Sequence, residues 1–230
     1  MPRLSRVLLR DEALAAIRAS IVRGDLAPGQ VIKDAELAST LGLSVAPVRS
    51  ALSRLVDEGL VESKPQSHTR VTPVRPKDVR DAVVVVRAMH EIAAREAASR
   101  LTDDDLATMR DANQRFADAV STGDVDAALS ADDELHGVLL ARCENAAVRA
   151  TVERFTPLIR RLERQRFGAP HGQDSIALHE ALVDTCRTEP ELAVAVTTTI
   201  WSTLLEELDE TVEATAPDET RTPPAPEEPA

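Results

Sequence analysis

Apolar residues recur at helical spacing along most of the chain. In residues 11–23, Leu14, Ile17 and Ile21 share one helical face, and Gly24 with Ala27-Pro28-Gly29 then turns the chain. Val31-Ile32 is a short extended piece. Asp34 is placed to cap a second helix carrying Leu37, Ala38 and Leu41, with Gly42 as its C-cap. Ser44 is placed to cap a third helix, which tolerates Pro47 in its first turn and carries the stripe Val48, Ala51, Leu52, Leu55 and Val56 before Gly59. Leu60–Ser63 and Thr69–Pro73 read as two short strands around the loop Lys64–His68. Three helices followed by a β-hairpin predict a winged helix-turn-helix.

Beyond Pro73 and Pro76 the alternation typical of strands disappears, and the pattern predicts six helices near 78–100, 103–120, 124–142, 146–166, 173–187 and 190–213. Thr102 precedes three aspartates, which suits the start of the second of these. From Ala214 the chain is rich in proline and acid without apolar periodicity, so a disordered tail is expected. The expected fold is therefore mainly α: a winged helix-turn-helix over 1–75, an all-α six-helix bundle over 76–213 and a tail over 214–230.

Charge changes this picture. The whole chain carries a net charge of -12, yet residues 1–75 hold eleven Lys and Arg against eight Asp and Glu. The excess acid all lies in the second part, and such asymmetry suggests a DNA-facing first domain. Tyrosine is absent and all four Phe and Trp residues follow position 75, so stacking on single-stranded bases is not the expected mode. No apolar run is longer than that from Ala82 to Val86, which offers no membrane span or signal-peptide core, and a cytoplasmic location is expected. Cys143 and Cys186 lack C-x-x-C spacing and are expected as buried free thiols.

Polar residues interrupt two of the inward rows. Along 124–142 the row is Val125, Leu129, Asp132, His136, Leu139 and Cys143; along 173–187 it is Ile176, His179, Val183 and Cys186. A carboxylate and two imidazoles facing a core need partners, and a divalent cation such as zinc, or another transition metal, held by Asp132, His136 and His179 satisfies all three. The alternative is an Asp132–His136 hydrogen bond within one helix, with His179 satisfied separately. The row Val79, Val83, Val86, His90, Ala93 and Ala97 carries a further inward histidine.

The string Gly24-Asp-Leu26-Ala-Pro28-Gly29 followed by ELASTLGLSVAPVRSALSRLVDEGLV, from Glu36 to Val61, resembles the DNA-binding domain of GntR-family transcription regulators. VRAMHEIAAREAA from Val86, DDELHGVLL from Asp132, CENAAV from Cys143 and HEALVDTC from His179 resemble the all-helical FCD domain of the FadR branch. Together the likeness covers roughly residues 10–212. It implies a homodimeric regulator, usually a repressor, whose second domain binds a small metabolite, often a carboxylate and in some members through a metal ion.

The resemblance also assigns candidate residues. The start of the recognition helix, Ser44 to Arg49, faces the major groove, with Arg49 as a base contact or a solvated arginine. Arg54, Lys64 and Arg70 are phosphate partners or surface charges, and His68 a DNA contact or an exposed loop residue. Relatives carry arginine where this chain has Val45, and a glycine near His68, so their operator pattern does not transfer. Asp132, His136 and His179 match three of the family's one-Asp, three-His metal ligands, while the last falls on Ile200 or Trp201. Relatives have an aliphatic residue at His90, which here lines the effector pocket, substitutes for the lost ligand, or is a core histidine. Arg87 matches a family arginine that reaches an anionic effector, or else pairs with Glu91. The expected function is a metabolite-responsive repressor binding an inverted-repeat operator as a homodimer. The alternatives are a metal-dependent hydrolase built on Asp132, His136 and His179, and a regulator-like protein with weakened DNA binding.

Overall fold

The computed structural model describes residues 6–64, 68–166 and 171–215. Its elements are α1 (Arg6–Arg23), β1 (Val31–Ile32), α2 (Asp34–Leu41), α3 (Val45–Asp57), β2 (Val61–Lys64), β3 (His68–Val71), α4 (Pro76–Ala97), α5 (Asp103–Thr122), α6 (Val125–Arg142), α7 (Ala146–Arg166), α8 (His171–Thr188) and α9 (Ala193–Thr215). Short 3₁₀ turns at Ala98–Arg100 and Pro190–Leu192 join α4 to α5 and α8 to α9.

The first part closes around Ile17, Ile21, Val48, Leu52, Leu55 and Leu60, all buried. Leu14, Ile17 and Ile21 face inward as expected, but α1 begins at Arg6 rather than near residue 11. Leu8 is exposed there, so periodicity could not reveal the earlier start. Val31-Ile32 does more than extend: it pairs antiparallel with β3, giving a three-stranded sheet in the order β1-β3-β2. Asp34 is the first residue of α2 rather than its cap, since Lys33 holds the capping position and the Asp34 carboxylate accepts instead from Arg49. Gly42, at φ 65°, closes α2 in the left-handed region that glycine reaches without Cβ strain. Ser44 occupies the cap position of α3 without a side-chain cap bond, and Val56 is exposed while the rest of its stripe is buried. Glu58, buried beneath α3, accepts two bonds from Arg18 of α1 at 3.0 and 2.6 Å, tying the first helix to the third.

Helices α4 to α9 form the bundle, with Thr102 and Asp105 capping α5 reciprocally. Each helix lies within a few residues of its expected span. The last continues through Thr215 rather than ending at 213, and the remainder of the expected tail, 216–230, lies outside the described residues. Apolar rows meet around Ala93, Met109, Leu135, Leu139 and Leu182, and a second cluster around Val83, Val86, Ile159 and Trp201 joins α4, α7 and α9. Among the described residues no helix is long and apolar enough to cross a membrane.

Candidate functional site

Between α4, α6, α7, α8 and α9 the bundle buries polar groups where a core ordinarily holds hydrocarbon. Asp132 and His136 lie one turn apart on α6, and His179 comes from α8. His179 Nε2 is 3.3 Å and His136 Nε2 3.7 Å from the same Asp132 oxygen, Oδ1. One potential ligand atom from each residue lies within 4.8 Å of the others.

The orientation of His179 is fixed from behind. Asn113 of α5 donates through its Nδ2 to the Ile176 carbonyl at 3.1 Å, which turns its Oδ1 toward His179 Nδ1, 3.2 Å away. An acceptor at Nδ1 places the ring proton there, so the neutral imidazole presents the Nε2 lone pair to Asp132. Burial lowers the His179 pKa against the pull of Asp132. Burial likewise brings His136 down to about 4, again opposed by Asp132. Both imidazoles are thus neutral near pH 7. Burial opposes ionisation of Asp132 as well, but the Arg160 guanidinium with the neighbouring imidazoles outweighs it and holds the carboxyl well below its usual range. A lone pair therefore faces an anionic oxygen at 3.3 Å, an arrangement that a cation between them relieves.

Arg160 of α7 was not foreseen. It is buried, donates to Asp132, and bonds Asp133 at 2.7 Å and Glu163 at 2.6 Å. Burial works against its charge, while Glu163, Asp132 and Asp133 more than offset that cost. Three carboxyl groups thus meet one guanidinium, and the donor set of one oxygen and two imidazole nitrogens fits zinc or a similar transition ion.

Of the two candidate positions for the last family ligand, Trp201 is the one beside the cluster. It is buried, stacks on His90 at 4.8 Å and lies 5.8 Å from His136, ring centre to ring centre. Ile200 is half-buried and packs on the neighbouring apolar cluster. An indole offers only an N–H, which cannot ligate a metal, and Trp201 Nε1 has no hydrogen-bond partner. His90 is buried edge-on to His136 at 5.4 Å, and burial, then His136, push its pKa well down. Arg87 lies 3.6 Å from Glu91 and 3.5 Å from the Ser202 hydroxyl.

On the winged helix the candidate residues lie outside. Ser44, Arg49, Arg54 and Lys64 are exposed, and Val45 packs partly into the core. Arg49 pairs with Asp34 at 2.7 Å, Arg54 with Glu58 at 3.8 Å, and Arg70 with Glu62 across the β2–β3 ladder. The solvent-facing pairs of Arg49 and Arg70 are worth at most about 1 kcal/mol each and can be exchanged for phosphate contacts. His68 is half-buried and belongs to β3, opposite Lys64, rather than to the loop. Residues 65–67, where the wing lacks the family glycine, lie outside the described residues.

A winged helix-turn-helix with an outward cationic recognition helix, joined to a helical bundle with a polar interior, defines a class of DNA-binding regulators. Residues 9–71 match the family model described as bacterial regulatory proteins, gntR family, and residues 81–203 match the FCD domain. The chain belongs to the GntR family, in the branch that carries an FCD domain, and is a DNA-binding transcription regulator. It is 30% identical over 132 residues to an HTH-type transcriptional regulator of Agrobacterium vitis, covering 56% of this chain and 77% of the relative. It is 28% identical over 145 residues to the HTH-type transcriptional repressor RspR of Escherichia coli, covering 60% of this chain and 64% of that one. The fold is shared with E. coli McbR/YncC at a TM-score of 0.77 and 19% identity, over 88% of this chain and 98% of that one. A GntR regulator from a Rhodococcus species superposes at 0.69 with 15% identity, over 90% and 99% of the two chains.

Proposed function

We propose that the chain is a repressor that binds an inverted-repeat operator as a homodimer through residues 1–75, and that residues 76–213 sense a small anionic metabolite at a cation held by Asp132, His136 and His179. The observation that carries this reading is the convergence of Asp132, His136 and His179, whose potential ligand atoms lie within 4.8 Å of one another, with His179 Nδ1 held 3.2 Å from the Asn113 side-chain oxygen. When bound, a divalent cation supplies an open coordination position for a carboxylate. The protein's own groups do the rest. Asn113 orients His179, and Trp201 offers an unpartnered indole N–H to an effector oxygen. Arg87 would then serve the bundle through Glu91 and Ser202 rather than touch the effector.

The hydrolase reading loses its support once the chain is placed in a regulator family, and we infer that the protein is not an enzyme. Work on operator DNA supports a cytoplasmic location. Arg49 would exchange Asp34 for a base edge, with Ser44, Arg54, Lys64, His68 and Arg70 along the flanking phosphates.

The test is selection of duplexes from random DNA by the purified protein, followed by titration of the selected duplex with zinc present or chelated. Calorimetry with zinc on wild type, Asp132→Ala and His179→Ala belongs beside it. The expected results are an inverted repeat, and zinc binding that both substitutions abolish. Equal zinc binding by all three proteins would refute the shared site.

A further inference from the structure

Neighbouring residues of α7 face two different parts of the molecule. Arg160 points into the polar cluster and holds Asp132, Asp133 and Glu163. Arg161 points the other way, donating to the Thr72 carbonyl at 2.5 Å and hydroxyl at 3.1 Å, one residue beyond β3. Two turns earlier Arg154 donates to the Asp57 carbonyl at 2.7 Å, the last residue of the recognition helix. Between them Leu158 packs against the cores of both the winged helix and the bundle. Thr72 in turn donates to the Gly59 carbonyl at 2.7 Å, so the grip reaches both ends of the turn after α3.

Resting on the cation reading above, we infer that α7 is the relay between the buried site and the DNA-binding part: a cation beside Asp132 drives Arg160 toward Asp133 and Glu163, and Arg161 and Arg154 carry the resulting shift of α7 to the base of the wing and the end of α3. The two cations share one carboxylate. Like charges brought together in a low-dielectric interior repel strongly, and Arg160 has two other acids to retreat to. Packed interiors respond to such a change by switching between discrete arrangements rather than by yielding locally.

Two features suit α7 to this task. Arg161 and Arg154 grip backbone carbonyls, so displacement of the helix moves main chain and not merely side chains. Pro157, lying between Arg154 and Arg160, removes one helical N–H and weakens the ladder where bending is needed. The joint also has room to move. A cavity of about 370 Å³ opens there among Glu58, Arg75, Asp78, Arg154, Phe155 and Arg161.

The experiment uses the full chain and zinc alone. Zinc affinity is measured by calorimetry, with Trp201, the single tryptophan, as an optical check of the site. Amide hydrogen exchange of residues 57–64 and 68–72 reports the far end. Arg160→Gln removes a competing charge and is expected to bind zinc about tenfold more tightly. Unchanged or weaker binding would reduce Arg160 to a prop for Asp132 and overturn the relay. In wild type, zinc should alter exchange in 57–64 and 68–72. The double variant Arg154→Met, Arg161→Met should bind zinc as wild type does while that segment ceases to respond. Arg161→Lys, which keeps the charge but loses the fork, guards against a folding defect and should lose most of the response. A full response in both would place the coupling elsewhere and leave the cation site standing. Absence of zinc binding in wild type would remove the site itself, and the relay with it.

Discussion

The winged helix and the bundle spend their polar residues in opposite places. Among the described residues of the first part the buried ones are aliphatic apart from Glu58, and Arg49 and Arg70 stand toward solvent in exchangeable pairs. In the second part His90, Asn113, His136, Arg160, Arg161 and His179 are all buried. A polar group costs little on a surface and much in a core, so a core tolerates such a set only if its members satisfy one another or a ligand. The first part acts by what it displays, the second by what it encloses.

The sharpest test of that contrast compares two ion pairs. Asp132→Ala takes one of three carboxylates from the buried Arg160 guanidinium, which keeps Asp133 and Glu163, and metal-free protein should lose about 1.5–3 kcal/mol of stability. Asp34→Ala breaks the Arg49 pair on the surface and should cost less than about 1 kcal/mol. Denaturant titration of both variants reads the difference. Similar losses would erase the distinction between the two regions.

Acid should attack the bundle from inside. In chelated protein His136 titrates at about 4 when folded and near its ordinary 6.5 when unfolded, because burial disfavours the charged ring. Between those values the unfolded chain binds the extra proton, so stability falls as pH drops from 6.5 to about 4. For His136 alone this amounts to about 3 kcal/mol, and His90 and His179 shift in the same direction. Thermal melts across that range should show the slope, and His136→Gln should flatten it. An equally steep profile in the variant would place the sensitivity outside the cluster.

Much of this was legible because helical periodicity is geometric. Steps of three and four residues put Asp132, His136 and His179 on inward rows, and two helices bring those rows together. Arg160 was not legible. It sits in Arg160-Arg161-Leu162-Glu163-Arg164, which reads as a solvated charged face, and only the three-dimensional placement of three acids makes burial tolerable. Asn113 was equally silent, since an asparagine on a helix gives no sign of which imidazole it orients. The choice between Ile200 and Trp201 needed packing rather than alignment, and β1 needed its partner strand. The start of α1 left no trace because Leu8 is exposed.

The DNA face can be probed with little effect on the fold. Arg49→Ala should weaken binding to the selected duplex by about 1–3 kcal/mol if Arg49 reads a base, while thermal stability barely moves. Fluorescence anisotropy at two salt concentrations separates this from loss of a phosphate contact, which would weaken all sequences alike and reduce the salt slope. Loss of folding stability with unchanged DNA affinity would mean that the Asp34 pair, and not the operator, is what Arg49 serves.

The smallest expected effect tests whether every polar residue in the second part belongs to its interior chemistry. Thr102 accepts from the Asp105 amide at 3.2 Å, and the Asp105 carboxylate accepts from the Thr102 amide at 2.8 Å, so two donors at the start of α5 are satisfied by side chains on the surface. Asp105 also receives two bonds from Arg142 at the end of α6, joining the two helices at their rim. Thr102→Ala removes only the threonine half of this box and should cost about 1 kcal/mol. Zinc affinity and DNA affinity should remain as in wild type, because the cap lies outside the polar cluster. A change in zinc affinity would show that the rim of α5 and α6 is coupled to Asp132, and that the boundary between enclosing and displaying runs further out than the buried residues suggest.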